Sequence, residues 1–226
     1  MIKGVVFDFD GLILDTELPV FRAWQEIFAV HGAELTLADW TDYIGRSPDS
    51  FDPCVNLERL LGDRVDRDAI RVDQQQREAR LIEEIEALPG VVDLIEQARE
   101  RNLRVGIASS SERTWVVGHL ARLGLDDRFD TIRCSDDVAR AKPFPDLYLA
   151  VLDAWGLAPH EAFALEDSPH GVSAAKAAGM VCIAVPNEMT DNLSFDHADL
   201  VLPSLAGTNL EELLHKIGAD GVRPQS

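Results

Sequence analysis

Asp8 and Asp10 stand two residues apart where a short apolar run ends, and Gly11 follows them. A second acidic pair, Glu166 and Asp167, follows another apolar run and precedes Ser168. Carboxylates this close repel one another unless a cation lies between them or one keeps its proton. Each pair therefore points to a metal, an acid/base group, or both. Gly11 lets the backbone bend and brings its amide within reach of an anion. If the two pairs meet in space, four carboxyl groups offer oxygen-only ligation, which suits Mg²⁺, an ion that takes few carboxylates and keeps several waters. The plainer alternatives are caps: Asp8 and Asp10 closing the turn out of a strand, and Asp167 or Ser168 capping the next helix.

Ser109 follows a third apolar run. Its hydroxyl and the amides of Ser110 and Ser111 suit a phosphate at a helix amino terminus. Ser109 and Glu112 fit a capping box equally well. Lys142, between Ala141 and Pro143, reads singly as a solvated lysine. Beside a phosphate it would neutralise oxygen charge and restrain Asp8 as an anion. The histidines His31, His119, His160, His170, His197 and His215 lack the paired spacing of a zinc site, and His170 is left outside the mechanism. The cysteines Cys54, Cys134 and Cys182 are odd in number and far apart, which suits small buried positions in a reducing compartment.

These residues need a scaffold. Residues 2–7, 104–108, 130–134, 162–165 and 181–185 are short apolar runs, each followed by polar residues, as strands buried on both faces of a parallel sheet should be. Helical patterns over 91–101, 112–123 and 145–155 alternate with them, which predicts a doubly wound, Rossmann-like α/β sheet. Ligands of such sheets sit at the carboxyl ends of strands, where all the residues above fall. About seventy residues separate the first strand from the next, far more than an ordinary loop, so they form their own unit. Phe21, Trp24, Ile27 and Phe28 share a helical face that Gly32 ends, Ser47-Pro48 starts another helix, and 67–88 reads as a long amphipathic helix closed by Pro89-Gly90. Residues 16–88 are expected to be an inserted α-helical cap, with 1–15 and 89–226 as the core.

A chain of 226 residues with 46% hydrophobic content buries one substantial core and has room for a small second one. A formal net charge of −19 argues against nucleic acid, which is bound through clustered Lys and Arg. The expected partner is a small molecule. The apolar start meets Asp8 before a signal peptide could develop, and no later run is long enough to span a bilayer, so the expectation is a cytoplasmic protein without membrane contact. Its oligomeric state is open, with a monomer compatible.

In order, Asp8 to Glu17 as DFDGLILDTE, Ser109 after its strand, Lys142 in AKPFPD, and Leu165 to Ser168 as LEDS resemble the four motifs of the haloacid dehalogenase-like superfamily. Within it, the chain resembles the β-phosphoglucomutase-like group, which carries a helical cap after the first strand. The likeness covers nearly the whole chain. It implies Asp8 as nucleophile toward phosphorus, Asp10 as general acid and then base, and Gly11, Ser109, Ser110 and Lys142 around the phosphoryl oxygens. It further implies Mg²⁺ held by Asp8, the Asp10 backbone carbonyl, Glu166 and Asp167, with Gly45 and Arg46 of IGRS reaching down from the cap to a small phosphorylated metabolite. Asp10 argues against halide-removing members, which need no acid for an alkoxide leaving group. Val20 stands where β-phosphoglucomutases have a histidine, which favours a phosphatase over the alternative, a sugar-phosphate mutase.

Overall fold

The computed structural model describes residues 1–44 and 52–219, so Gly45, Arg46 and the Ser47-Pro48 helix start lie outside the described residues. Two compact units form: one from residues 1–14 and 86–226, the other from residues 15–85.

The first unit is built on a parallel six-stranded sheet: β1 (Gly4–Phe7), β2 (Arg104–Ala108), β3 (Thr131–Arg133), β4 (Ala162–Glu166), β5 (Val181–Ala184) and β6 (Leu200–Val201), in the order β3-β2-β1-β4-β5-β6. The chain runs outward from β1 through β2 to β3, then returns to pair β4 with the other side of β1. Strand order therefore reverses at β1, the kind of switch point that opens a crevice at carboxyl ends. The registers Phe7↔Ile107 and Phe7↔Leu165 bring the tips of β2 and β4 level with the tip of β1. Side chains alternate across the sheet. Val6, Ala108, Ala164, Cys182 and Ala184 share a core with Leu147, Tyr148, Val151 and Val172.

Those partners come from helices in the later crossovers. Labelled with all the others in chain order, the helices are α1 (Glu17–Val30), α2 (Leu37–Ile44), α3 (Pro53–Leu61), α4 (Arg67–Glu83), α5 (Val91–Glu100), α6 (Arg113–Leu123), α7 (Asp146–Trp155), α8 (Pro169–Ala177) and α9 (Leu210–Ala219). The Trp155 ring of α7 lies over Gly4 and Gly106. A Cβ at those positions would stand 2.7 and 2.6 Å from the ring, so adjacent strands leave out side chains to admit the indole. Its Nε1 donates to Thr131 Oγ1 at 2.9 Å.

In the second unit α1 packs on α4, burying Phe21, Trp24, Ile27 and Phe28. Gly32, at φ 74°, donates to Ala29 O and closes α1 as its position predicts. Asp52 and Asp66 cap α3 and α4 through bonds from Cys54 N at 3.0 Å and Ala69 N at 3.1 Å. The helix expected over 67–88 stops at Glu83. Leu88 N–H is taken by Ile13 O at 2.8 Å, which draws the chain out of helical geometry toward the sheet. β6 is only two residues long, too short to show an apolar run, and went unpredicted.

Candidate active site

The Asp8 amide still belongs to the sheet, donating to Leu165 O at 3.0 Å, so the side chain emerges where β1 ends beside β4. It is 6% exposed. Lys142 Nζ bonds Asp8 Oδ1 and lies 2.6 Å from Glu166 Oε1, with the Lys142 side chain 7% exposed. Tyr148 of α7 donates its hydroxyl to the same Glu166 oxygen at 2.5 Å. Asp8, Glu166 and Asp167 each offer a carboxylate oxygen within 4.8 Å of the other two, and all three are buried. The two acidic motifs and the lysine thus gather at one place.

The loop after β1 is shaped around Asp167. Gly11 has φ 85°, and a Cβ there would lie 2.1 Å from Asp167 Oδ2 and 2.8 Å from Asn187 Nδ2. Asn187, after β5, donates to Gly11 O at 3.0 Å and to Asp167 Oδ2 at 2.9 Å, tying two strand tips together. At Gly171 a Cβ would fall within 2.1 Å of all three atoms of the Glu166 carboxyl group, so the first turn of α8 rests on that carboxylate.

Asp10 points to the β2 side. Its Oδ1 accepts from Trp115 Nε1 at 2.9 Å, and its Oδ2 from Ser111 Oγ at 2.7 Å and Ser109 Oγ at 3.3 Å. Ser109 Oγ also accepts from the Ser111 amide at 3.0 Å. Ser109 is fully buried and Ser110 is exposed. The capping box open to Ser109 and Glu112 does not form, since α6 starts at Arg113 without a side-chain cap. The capping alternative at the second acidic motif holds for Ser168, which accepts from Gly171 N at 3.1 Å. His170 is exposed in the first turn of α8.

The electrostatics follow from the buried Asp8 and Glu166 carboxylates sharing one buried ammonium, with the buried Asp167 carboxylate beside them. Burial pushes Asp8 up to about 7; Lys142 opposes this, while Glu166 and Asp10 add to it. Burial alone would lower Lys142, but Asp8 and Glu166 outweigh it and hold the ammonium above its usual range. Burial, then Glu166, pushes Tyr148 well up, leaving it a neutral donor. Surplus negative charge on an oxygen-only donor set fits a hard divalent cation of the Mg²⁺ class.

A pH dependence follows. Between the ordinary 3.8 and about 7 the folded chain holds more proton at Asp8 than the unfolded chain does. The Asp8 contribution to metal-free stability is therefore largest below 3.8, is lost as pH rises through this window, and levels off above about 7. In urea titrations with EDTA, the stability of wild type relative to Asp8→Asn is expected to fall from pH 5 to pH 8. A difference that stays flat or rises contradicts the burial argument.

Sequence points to Ser111 only through its amide, not through the hydroxyl that meets Asp10, and does not single out Trp115, Tyr148 or Asn187. Asn187 follows a strand adjacent to β4 and was findable by the strand-tip rule; Tyr148 was hidden in the apolar pattern of α7.

The pattern of the haloacid dehalogenase-like hydrolase family matches residues 5–185. The Bacillus subtilis protein YhcW is 42% identical over 219 residues, covering 97% of this chain and 99% of that one. The phosphorylated carbohydrates phosphatase of Thermotoga maritima is 30% identical over 179 residues, covering 79% and 82%. The crystal structure of CbbY from Rhodobacter sphaeroides in complex with phosphate superposes with a TM-score of 0.68 at 31% identity, covering 92% and 96%. With the parallel sheet and the ordered strand-tip motifs, these matches place the chain in the haloacid dehalogenase-like hydrolase family.

Proposed function

We propose that this protein is a Mg²⁺-dependent phosphatase of small phosphorylated metabolites that works through an aspartyl-phosphate on Asp8. The observation that carries the reading is the buried Asp8 carboxylate bonded to Lys142 inside the oxygen cluster of Glu166 and Asp167, with Asp10 two residues on. The phosphorylated carbohydrates phosphatase among the relatives supports the substrate class.

An Asp8 oxygen attacks phosphorus while the bond to the ester oxygen breaks, and Asp10 gives its proton to that departing oxygen. Asp10, now a carboxylate, takes a proton from water as the water oxygen bonds phosphorus. The Asp8–phosphorus bond then breaks and inorganic phosphate leaves. Lys142 and the Ser109 hydroxyl hold the equatorial oxygens, with the Ser110 amide completing the cradle; the Gly11 amide, which sequence also suggested, donates instead to Leu14 O at 2.7 Å. Asp8, the Asp10 carbonyl, Glu166 and Asp167 would hold Mg²⁺, which would supply the charge neutralisation that an anionic nucleophile needs against an anionic ester. Residues 16–88 are read as the cap, and the segment with Gly45 and Arg46 as its contribution to substrate choice. No helix among the described residues is long and apolar enough to cross a membrane.

A panel of phosphorylated sugars, nucleotides and short acids, assayed for phosphate release with Mg²⁺ and with EDTA, tests the reading. Release from several small esters that stops on chelation is expected. Isomerisation of β-glucose 1-phosphate with little phosphate release would instead make the protein a mutase.

A further inference from the structure

We propose that Trp115 is a positioning residue for Asp10, one that commits Oδ1 to a hydrogen bond and leaves Oδ2 as the oxygen that delivers the proton. The role rests on the reading of Asp10 as general acid. An indole N–H only donates, so the carboxyl oxygen facing it must present a lone pair. Trp115 Nε1 faces Oδ1 at 2.9 Å. Oδ2 faces the Ser111 and Ser109 hydroxyls at 2.7 and 3.3 Å, and hydroxyls serve either as donors or as acceptors. A protonated Oδ2 can donate to a hydroxyl neighbour, whereas a proton on Oδ1 would leave the indole only the weaker acceptor lone pair of an acid hydroxyl. In the transfer, the Oδ2–H bond breaks and the new O–H bond forms on the ester oxygen as it leaves phosphorus.

The indole is itself held. Trp115 stands on α6 in edge contact with His119, one turn on, with ring centroids 4.4 Å apart. His119 in turn lies beside Phe9 at 6.4 Å, and Phe9 is the fully buried residue between Asp8 and Asp10. The side chain that orients Asp10 is thus braced against the segment that carries Asp10, so its direction is set relative to Asp8.

A role in proton delivery differs from a merely structural one in its dependence on the leaving group. An alkoxide needs the proton; p-nitrophenolate departs without it. The test compares kcat/KM for glycerol 2-phosphate and p-nitrophenyl phosphate in wild type, Trp115→Phe and Asp10→Asn. The alkyl-to-aryl ratio is independent of how much enzyme is folded. Loss of one hydrogen bond to a carboxyl group that becomes charged as its proton leaves is expected to lower that ratio on the order of tenfold in Trp115→Phe, and Asp10→Asn is expected to lower it further. If Asp10→Asn lowers the ratio and Trp115→Phe does not, the indole is only packing and the inference falls. If Asp10→Asn leaves the ratio unchanged, the general-acid reading fails first and takes the role of Trp115 with it.

Discussion

Asp8→Asn is expected to lower Mg²⁺-dependent phosphate release by about 10³-fold or more, because an amide of the same shape has no anionic oxygen to attack phosphorus. The fold should survive. The amide oxygen still accepts from Lys142, and the variant relieves a site where burial already disfavours the carboxylate. Initial rates with and without Mg²⁺, together with far-UV circular dichroism, check both halves. A folded variant that keeps a tenth of wild-type activity would refute Asp8 as the nucleophile.

Lys142→Met is expected to damage stability as well as activity. The ammonium is the buried cation that Asp8 and Glu166 share. Removing one partner of a buried ion pair typically costs about 3–5 kcal/mol, because the uncompensated charge remains behind. The buried carboxylates would then repel one another without the ammonium that Asp8 and Glu166 share. Two environmental effects should follow. Lower pH should restore part of the lost stability by protonating Asp8, which burial already pushes up, and millimolar Mg²⁺ should restore part of it at pH 8 by binding the folded state alone. Phosphate release should stay far below wild type in both conditions. Equal urea midpoints for variant and wild type in EDTA at pH 8 would show that Lys142 does not compensate the cluster.

Strands β1 to β5 were legible because they are short apolar runs, the pattern that a parallel sheet covered on both faces leaves. The strand-tip rule then located Asp8, Asp10, Ser109, Glu166 and Asp167 without reference to side-chain geometry. Lys142 was harder, since it sits in the connection after β3 and off any strand, and only the motif around it set it apart. What sequence could not convey was direction. Asp10 turns to Ser111 and Trp115 on the β2 side while Asp8 turns to Lys142, although only Phe9 stands between them. Nor does spacing show that Tyr148, eighteen residues before Glu166, ends on its carboxylate. Such contacts arise from how helices settle on the sheet, which depends on volumes such as the Trp155 ring over two glycines.

Gly171 carries no reactive atom, yet a mutational scan scored by turnover would rank it among the chemical groups. Any larger residue there must displace either the Glu166 carboxylate or the start of α8, and the carboxylate is held by Tyr148 and Lys142. Intolerance to substitution at this position would therefore map a steric floor beneath the catalytic cleft, and a search for catalytic residues by intolerance alone would take it for a participant.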